Sequence, residues 1–212
     1  MYLPLLFKDG FSCLIVGGGQ VASRKIEVLL ELPCEITVVA PTITESIQQK
    51  IRIGSLRWVE REYVSGDCNG FQLVIAATPV REINRGISDE AKGLGIPVNV
   101  VDDPALSTVI FPAIWRDQSL VVAVSTEGIA PFMASRIRTR LATSMQSMGK
   151  WIEIAGMFRS AVHREIQIPS EREKYYRLFP DSGPPGDFDS PSADAQLSDW
   201  LSWLEHIGKQ RD

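Results

Sequence analysis

The sequence has few residues of the kinds that build metal centres and disulfide frameworks. Three cysteines and two histidines occur in 212 residues. Cys13, Cys34 and Cys68 lie far apart without C-x-x-C spacing, which indicates neither a disulfide framework nor a zinc site. His163 and His206 have no second histidine or cysteine at ligand spacing, so we expect surface histidines and no bound metal. The simplest interpretation is a reducing, cytoplasmic compartment.

Excess positive charge and long apolar segments are also missing. The net charge is −4 and the pI about 5.3, which disfavours nucleic acid or an anionic membrane as the main partner, because both require a basic face. The apolar start, residues 1–7, has no basic region and is too short for a signal sequence or a membrane span. We expect it to be an ordered segment packed against the first strand. We therefore expect neither a nucleic-acid nor a membrane partner.

A glycine turn between a predicted strand and a predicted helix is the strongest motif present. Residues 11–16 are mostly apolar, as in a strand buried in a parallel sheet, and residues 21–30 repeat apolar side chains at helical spacing. Between them, Gly17-x-Gly19-x-x-Ala22 fits the dinucleotide fingerprint. Gly17 allows a sharp turn, Gly19 lets backbone N–H groups approach a pyrophosphate, and Ala22 permits close packing. A tight turn in another α/β protein is the alternative.

The acid that usually binds the ribose is missing from this motif. The fingerprint calls for an Asp or Glu about 20 residues beyond the glycines. Here the second predicted strand, residues 35–40, ends in Pro41-Thr42, and the first acid is Glu45. We therefore expect Thr42 or backbone groups to recognise the ribose. No Lys or Arg lies near this segment to pair with a 2′-phosphate, which favours NAD over NADP.

Strands and helices alternate up to residue 101. The pattern predicts strands over 56–61, 71–78 and 97–101, with helices over 43–51 and 79–94. This alternation predicts an α/β fold with a doubly wound, Rossmann-like parallel sheet and right-handed crossovers. Because parallel strands end at one edge, we expect Ala77, Thr78 and Asp102 near the dinucleotide. A core strand with a Thr cap, and an Asx turn at Asp102, are the structural alternatives.

The pattern changes after residue 105. Runs over 108–115 and 120–125, joined by four polar residues, predict a β-hairpin that must pack on the first domain or on another subunit. A helix after Pro131 carries Arg136, Arg138 and Arg140, either as a solvated face or as a basic wall for a polycarboxylate. Helices over 150–168 and 171–179, a mobile acidic loop over 180–196 and a terminal amphipathic helix complete the prediction.

Six blocks of the sequence resemble the precorrin-2 dehydrogenase and sirohydrochlorin ferrochelatase domain of siroheme synthases. They occur in the family's order at residues 3–7, 13–25, 76–78, 99–104, 111–113 and 122–131. The resemblance implies NAD-dependent oxidation of precorrin-2 to sirohydrochlorin and, as in many relatives, insertion of Fe²⁺ to make siroheme. Because the sequence ends at residue 212, we expect it to lack the methyltransferase domain that is fused to some relatives. A non-catalytic NAD-binding regulatory module is the alternative function.

The resemblance also implies specific site residues. Those expected to bind NAD are Gly17, Gly18, Gly19, Gln20, Val21, Pro41 and Thr42, beside the predicted Ala77 and Thr78. Asp102 falls on the family's catalytic aspartate and is a candidate base for both oxidation and chelation. The substrate bears eight carboxylates, and the candidates to bind it by position are Ser125, Thr126, Gly128, Arg136 and Arg138. Ala130 replaces the family's usual serine, which removes a helix N-cap.

The resemblance finally implies a homodimer in which the hairpin and the helix after it are exchanged between subunits. On this basis we divide the chain into three parts. Residues 1–106 are expected to form the NAD-binding Rossmann-like domain, residues 107–148 the dimerisation region, and residues 149–212 a helical C-terminal domain.

Overall fold

The structure is a computed structural model that describes residues 10–32, 34–146, 148–177, 179, 198–200 and 202–203. The strands are β1 (Phe11–Val16), β2 (Cys34–Val39), β3 (Arg57–Val59), β4 (Leu73–Ala76), β5 (Val98–Val100), β6 (Ala113–Asp117) and β7 (Leu120–Val124). The helices are α1 (Gln20–Leu30), α2 (Glu45–Arg52), α3 (Arg81–Gly93), α4 (Pro131–Ser144), α5 (Met148–Glu165) and α6 (Pro169–Tyr176). The predicted alternation of strands and helices is confirmed.

The first five strands form one parallel sheet in the order β3-β2-β1-β4-β5. Val16 pairs with Val39 on one side and with Ala76 on the other, and Ala76 pairs with Val100. The strands therefore end level with one another at their carboxyl ends. The strand order reverses between β1 and β4, which is where doubly wound sheets bind their ligands. The predicted Rossmann-like fold class is confirmed.

Each face of the sheet is covered by its own core. Cys13 and Ile15 of β1 pack with α1 and α2 residues on one face. Leu14 and Val16, one position along the strand, pack with Ile87 and other α3 residues on the opposite face. Side chains that alternate between two buried faces explain why residues 11–16 form a nearly continuous apolar run.

The hairpin differs from the prediction in its turn and its length. β6 begins at Ala113, and Asp117 pairs directly with Leu120, so the turn has two residues instead of four. Gln118 has a φ of 50°, and this left-handed conformation lets a two-residue turn close the strands. Thr108, predicted as strand, instead bonds to the edge of the first sheet, with its N–H donating to the Val98 carbonyl oxygen at 2.8 Å.

The helices agree with the prediction except near their ends. On α3, Ile87 and Ala91 are buried, whereas Ile83, and Leu94 just after the helix, are 37% and 46% exposed. Leu94 follows the last helical residue, so helical spacing no longer sets its direction. The helix predicted over 150–168 begins at Met148 and ends at Glu165.

Some predictions lie wholly or partly outside the described residues. These are the segment before residue 10, the acidic loop over 180–196, His206, and much of the terminal helix. Trp200 and Trp203 are described, and both are buried against Trp151 and Phe158 of α5. His163 is exposed, as predicted.

The described chain divides into two compact units. Residues up to 111, with 127–129, form the first unit, and residues 112–126 with those from 130 onward form the second. The first contains the five-stranded sheet with α1 to α3, and the second contains the hairpin with α4 to α6. None of the described helices combines the length and the apolar composition needed to cross a membrane.

Candidate functional site

A crevice of about 760 Å³ opens at the carboxyl ends of the parallel strands. It lies wholly within the first unit, and each of the five strands contributes to its lining. The contributions are Val16 to Val21 after β1, Val39 to Thr44 after β2, Glu62 and Tyr63 after β3, Ala77 to Val80 with Ile83 after β4, and Val101 with Asp102 after β5. The nine residues predicted to bind NAD and the predicted base therefore line one crevice.

Two of the three glycines are required by the backbone that surrounds them. Gly17 has a φ of 122°, and a Cβ at this position would overlap the carbonyl oxygen of Ala77. A Cβ at Gly18 would overlap the carbonyl oxygen of Thr42. Neither position can accept another residue without a backbone shift. The dinucleotide fingerprint predicts glycine at position 17. The requirement for glycine at position 18 comes from the Thr42 carbonyl oxygen after β2, a contact that only the folded structure shows.

Gly19 faces open space, since no atom lies within 4 Å of the position where a Cβ would stand. It is the N-cap of α1, and no side chain caps the helix there. The first turn of α1 also carries no acidic residue. The unfilled space and the free N–H groups at the helix start fit the phosphates of a dinucleotide, because a helix N-terminus attracts anions.

The segment after β2 closes one end of the crevice. Its course is fixed by the Thr44 N–H, which donates to the Gly18 carbonyl oxygen at 2.9 Å, and by the Trp58 indole N–H, which donates to the Ala40 carbonyl oxygen at 2.9 Å. Thr44 Oγ1 is buried and has no hydrogen-bond partner among the described residues. A buried hydroxyl with unused bonding capacity is a candidate ligand group that sequence reasoning missed. Its signal was a threonine directly before the α2 start at Glu45.

Thr78 is held at the end of β4 by the buried Asn84. The Thr78 hydroxyl and N–H both donate to Asn84 Oδ1, at 2.7 and 3.2 Å, and the Asn84 amide donates to the Thr78 carbonyl oxygen at 2.9 Å. These bonds orient the turn between β4 and α3. Asn84 was not among the predicted residues, although a buried asparagine in an apolar helix face was a readable signal.

Asp102 lines the crevice in a left-handed conformation, with a φ of 59°. Its neighbour Asp103 accepts two hydrogen bonds from Arg81, at 2.9 and 3.0 Å. The hydroxyl of Ser107 accepts the Val100 N–H at 2.9 Å. These contacts fix the turn and leave the Asp102 side chain exposed. Asp103 therefore has a structural role in the turn that precedes Pro104.

Lys25 is a half-buried cation on α1 that the sequence did not assign to the site. Its Nζ lies 4.2 Å from the centre of the Phe111 ring. Burial lowers the pKa of Lys25 below its usual value. The charge of Asp102 opposes this shift in part, and the charge of Arg24 adds to it. The ammonium group of Lys25 therefore contributes positive potential near Asp102.

Glu62 and Tyr63 enter the crevice from the loop after β3, and sequence reasoning missed both. The Tyr63 hydroxyl donates to Glu90 of α3 at 2.6 Å, and the N–H groups of Gly66 and Cys68 donate to the same carboxylate. Burial raises the pKa of Glu90, but these hydrogen bonds outweigh it and lower the pKa to about 2. Burial and Glu90 raise the pKa of Cys68 to about 12, so this thiol is inert at neutral pH.

Four of the five predicted substrate residues, all except Gly128, belong to the second unit. Thr126 Oγ1 accepts the Ala130 N–H at 3.1 Å, and α4 has no side-chain cap at Ala130. The Arg136 guanidinium lies 5.8 Å from the centre of the Phe132 ring. Arg138 Nε is buried without a hydrogen-bond partner among the described residues. Ser125 is the first residue after β7.

The described residues contain no cluster of three or more His, Cys, Asp or Glu side chains that could hold a metal ion. The charged residues of the crevice lining are Glu62 and Asp102. No Lys or Arg is among the lining residues. The crevice therefore fits a ligand whose phosphates are bound by backbone N–H groups and a helix N-terminus.

Comparison with known proteins agrees with this geometry. Residues 6–113 match the family described as "Putative NAD(P)-binding". The siroheme synthase of Methylococcus capsulatus is 39% identical over 177 residues, which cover 82% of this chain and 37% of that protein. The siroheme synthase of Pseudomonas putida is 39% identical over 199 residues, which cover 93% of this chain and 41% of that protein. The chain thus spans about two fifths of the length of these relatives.

A solved structure extends the likeness to nearly the whole chain. The structure titled "SirC, precorrin-2 dehydrogenase" superimposes with a TM-score of 0.69 at 25% identity. The alignment covers 99% of this chain and 100% of that one. The likeness therefore includes the hairpin and the helices that follow the parallel sheet.

Proposed function

Because the chain belongs to the NAD(P)-binding family whose model matches residues 6–113, we propose that it oxidises precorrin-2 to sirohydrochlorin with NAD. The siroheme synthase relatives and the precorrin-2 dehydrogenase structure support this substrate. The observation that carries the proposal is that Asp102 and the glycine turn line the same crevice. A dinucleotide bound at the glycines and a base at position 102 then act on one substrate.

Different residues of the chain bind different parts of the dinucleotide. Gly17 and Gly18 keep the turn tight, the open position of Gly19 admits the pyrophosphate, and the N-terminus of α1 faces it. Thr78, oriented by Asn84, lies beside the nicotinamide end. NAD, when bound, supplies the hydride acceptor. The absence of Lys and Arg from the crevice lining favours NAD over NADP.

Asp102 is proposed as the base. Removing a hydride from a reduced tetrapyrrole leaves a proton to be accepted, and the exposed carboxylate after β5 lines the same crevice as the glycine turn. The same carboxylate accepts pyrrole protons if Fe²⁺, as a substrate, is inserted into sirohydrochlorin. We propose this chelation as a second activity, to be tested separately.

Cationic and hydroxyl groups of the second unit are proposed to bind the substrate carboxylates. The buried Arg138 Nε has no partner among the described residues, so a carboxylate would satisfy it. Arg136, Ser125, Thr126 and Gly128 are proposed to act with it. The Thr126 hydroxyl still has donor capacity, because its bond to Ala130 uses it only as an acceptor.

A homodimer through residues 107–148 is part of the proposal. Phe132 is 63% exposed on α4, and Met133 and Ile137 are each 38% exposed. Both hairpin strands are mostly half-buried and none of their residues is fully buried. Apolar surface of this kind is typical of a subunit interface.

The three free cysteines are consistent with the cytoplasmic location predicted from the sequence.

The test of the function is anaerobic conversion of enzymatically made precorrin-2 in the presence of NAD, followed by the visible absorbance of sirohydrochlorin. The wild-type protein is expected to convert it. Asp102→Asn is expected to bind NAD normally and to lose at least about 100-fold in rate, the usual contribution of a general base. Asparagine tolerates the left-handed conformation at position 102, so the turn is preserved.

Asp103→Asn is the matched control, because it removes an equal charge from the next residue, whose carboxylate pairs with Arg81. It is expected to keep most of the activity. Full activity in Asp102→Asn would refute the assignment of the base. NAD binding by the wild type without any conversion would favour the regulatory-module alternative. Adding Fe²⁺ to sirohydrochlorin tests chelation by itself.

A further inference from the structure

We propose that Glu62 binds the adenosine ribose of the dinucleotide and thereby selects NAD over NADP. The inference rests on the proposed use of a nicotinamide dinucleotide and assigns a residue to ribose recognition. It replaces the sequence-based expectation that Thr42 or backbone groups perform this task alone.

The usual acid at the end of the second strand is absent, and Glu62 follows the neighbouring strand β3 at the equivalent position. β2 and β3 are parallel, with Val39 paired to Val59. Thr42 and Glu62 each follow the paired valine by three residues, and both line the crevice. A carboxylate from β3 therefore reaches the same end of the crevice where a carboxylate from β2 is found in the fingerprint.

The loop that carries Glu62 is anchored on both sides of it. Arg61 makes two hydrogen bonds to the carboxylate of Asp67, each 2.7 Å long. Tyr63 is bonded to Glu90 at 2.6 Å. The Arg61 N–H also donates to the Val59 carbonyl oxygen at 3.0 Å, directly at the strand end. Neighbours fixed in this way hold Glu62 at the crevice with little freedom to lose when a ligand binds.

Charge in the crevice gives Glu62 its selectivity. A carboxylate accepts hydrogen bonds from the 2′- and 3′-hydroxyls of a ribose. A 2′-phosphate at the same place would put negative charge beside negative charge. No Lys or Arg among the lining residues is available to compensate. The second acid of the lining, Asp102, follows β5 on the other side of β1 in the sheet and does not share this end.

The experiment measures dissociation constants for NAD, NADP and the 2′-deoxyadenosine form of NAD by calorimetry. The proteins are the full chain, Glu62→Gln and the control Glu60→Gln, which removes an equal charge from an exposed residue outside the crevice lining. Glu62→Gln is expected to weaken NAD binding about tenfold or more, as for loss of hydrogen bonds to a charged group. The preference for NAD over NADP should fall by a similar factor, while Glu60→Gln stays like the wild type.

The deoxy form shows whether the ribose itself is the partner. Its loss of the 2′-hydroxyl should weaken binding to the wild type and to Glu60→Gln but have little further effect on Glu62→Gln. An equal penalty in all three proteins, or NAD binding to Glu62→Gln that matches Glu60→Gln, would overturn the assignment while leaving the proposed function intact. Failure of the wild type to bind NAD would overturn both. Because Glu62 is exposed, its variant should unfold at the wild-type temperature.

Discussion

The two sides of the crevice are built in different ways. The first side, at the ends of β1, β4 and β5, carries the glycine turn, Thr78 and Asp102. The second side, at the ends of β2 and β3, carries Thr42, Thr44 and Glu62. On the first side the crevice residues follow their strands directly. On the second side the loop that carries Glu62 and Tyr63 is held by the bonds from Arg61 to Asp67 and from Tyr63 to Glu90 of α3. Local sequence therefore specifies the first side, and tertiary contacts specify the second.

The largest effect is expected from Gly17→Ala on the first side. The new methyl group would overlap the Ala77 carbonyl oxygen at a residue with a φ of 122°. We expect a loss of about 3 kcal/mol or more in the free energy of unfolding, from backbone strain and overpacking together. Thermal and urea unfolding measure it, and NAD binding should be lost with it.

Gly19→Ala is the control within the same motif. Its φ is −82°, and a Cβ there meets no atom within 4 Å. We expect nearly unchanged stability and weaker NAD binding, because the methyl group would occupy space needed by the pyrophosphate. Equal stability losses in the two variants would mean that the glycines share one role, contrary to the structure.

A smaller effect is expected when the anchor of the second side is removed. Glu90→Gln weakens the bonds from Tyr63, Gly66 and Cys68 to a charged acceptor. We expect a loss of about 2 kcal/mol in the free energy of unfolding near neutral pH, the magnitude typical of hydrogen bonds to charged groups. NAD binding should weaken as well, since the loop carries Glu62.

The pH dependence of this variant has a definite sign. The Glu90 pKa is about 2 in the folded protein and about 4.3 when unfolded. Its contribution is therefore present above pH 4.3 and is lost as the pH falls towards 2. The stability difference between wild type and Glu90→Gln should shrink over that interval. Asp89→Asn, which removes an exposed carboxylate from the same helix, is the control and should leave the free energy of unfolding at neutral pH near the wild-type value. A stability difference that does not change with pH would contradict the role of Glu90 as the anchor of this loop.

The smallest effect is expected from Arg81→Ala, which tests whether the first side depends on an ion pair. The Arg81 side chain is 65% exposed, and its Nη2 lies 2.9 Å from Asp103 Oδ2. Exposed ion pairs contribute less than about 1 kcal/mol, and backbone contacts also hold the Asp102 turn. Urea unfolding should show a loss below that limit, with unchanged NAD binding. Arg85→Ala, another exposed cation of α3, is the control. A larger loss would show that the first side also needs a side-chain anchor.

The parallel sheet could be predicted because each strand has an apolar run and each connection has a helical period. The glycine turn and Asp102 could be placed at the crevice for the same reason, because each comes within two residues of the end of such a run. The place of Glu62 at the crevice depends on the pairing of β2 with β3, and the role of Asn84 depends on its position on α3 beside Thr78. A single sequence shows neither, so both residues were missed. The four-residue hairpin turn was wrong because Asp117 and Leu120 pair with each other despite the polar character of the predicted turn.

Several predictions concern the second unit. Substrate binding by Arg136 and Arg138, and the division into three parts, remain predictions. The Thr126 hydroxyl accepts the N–H of Ala130 itself, and no side chain caps the first turn of α4.

Trp58 gives the crevice an intrinsic optical probe. It is the single tryptophan of the sequence between residues 10 and 111, and its indole N–H is bonded to the Ala40 carbonyl oxygen at the crevice wall. Occupancy of the nucleotide end should alter the emission of this indole, so ligand titrations can be followed by fluorescence without attaching a dye.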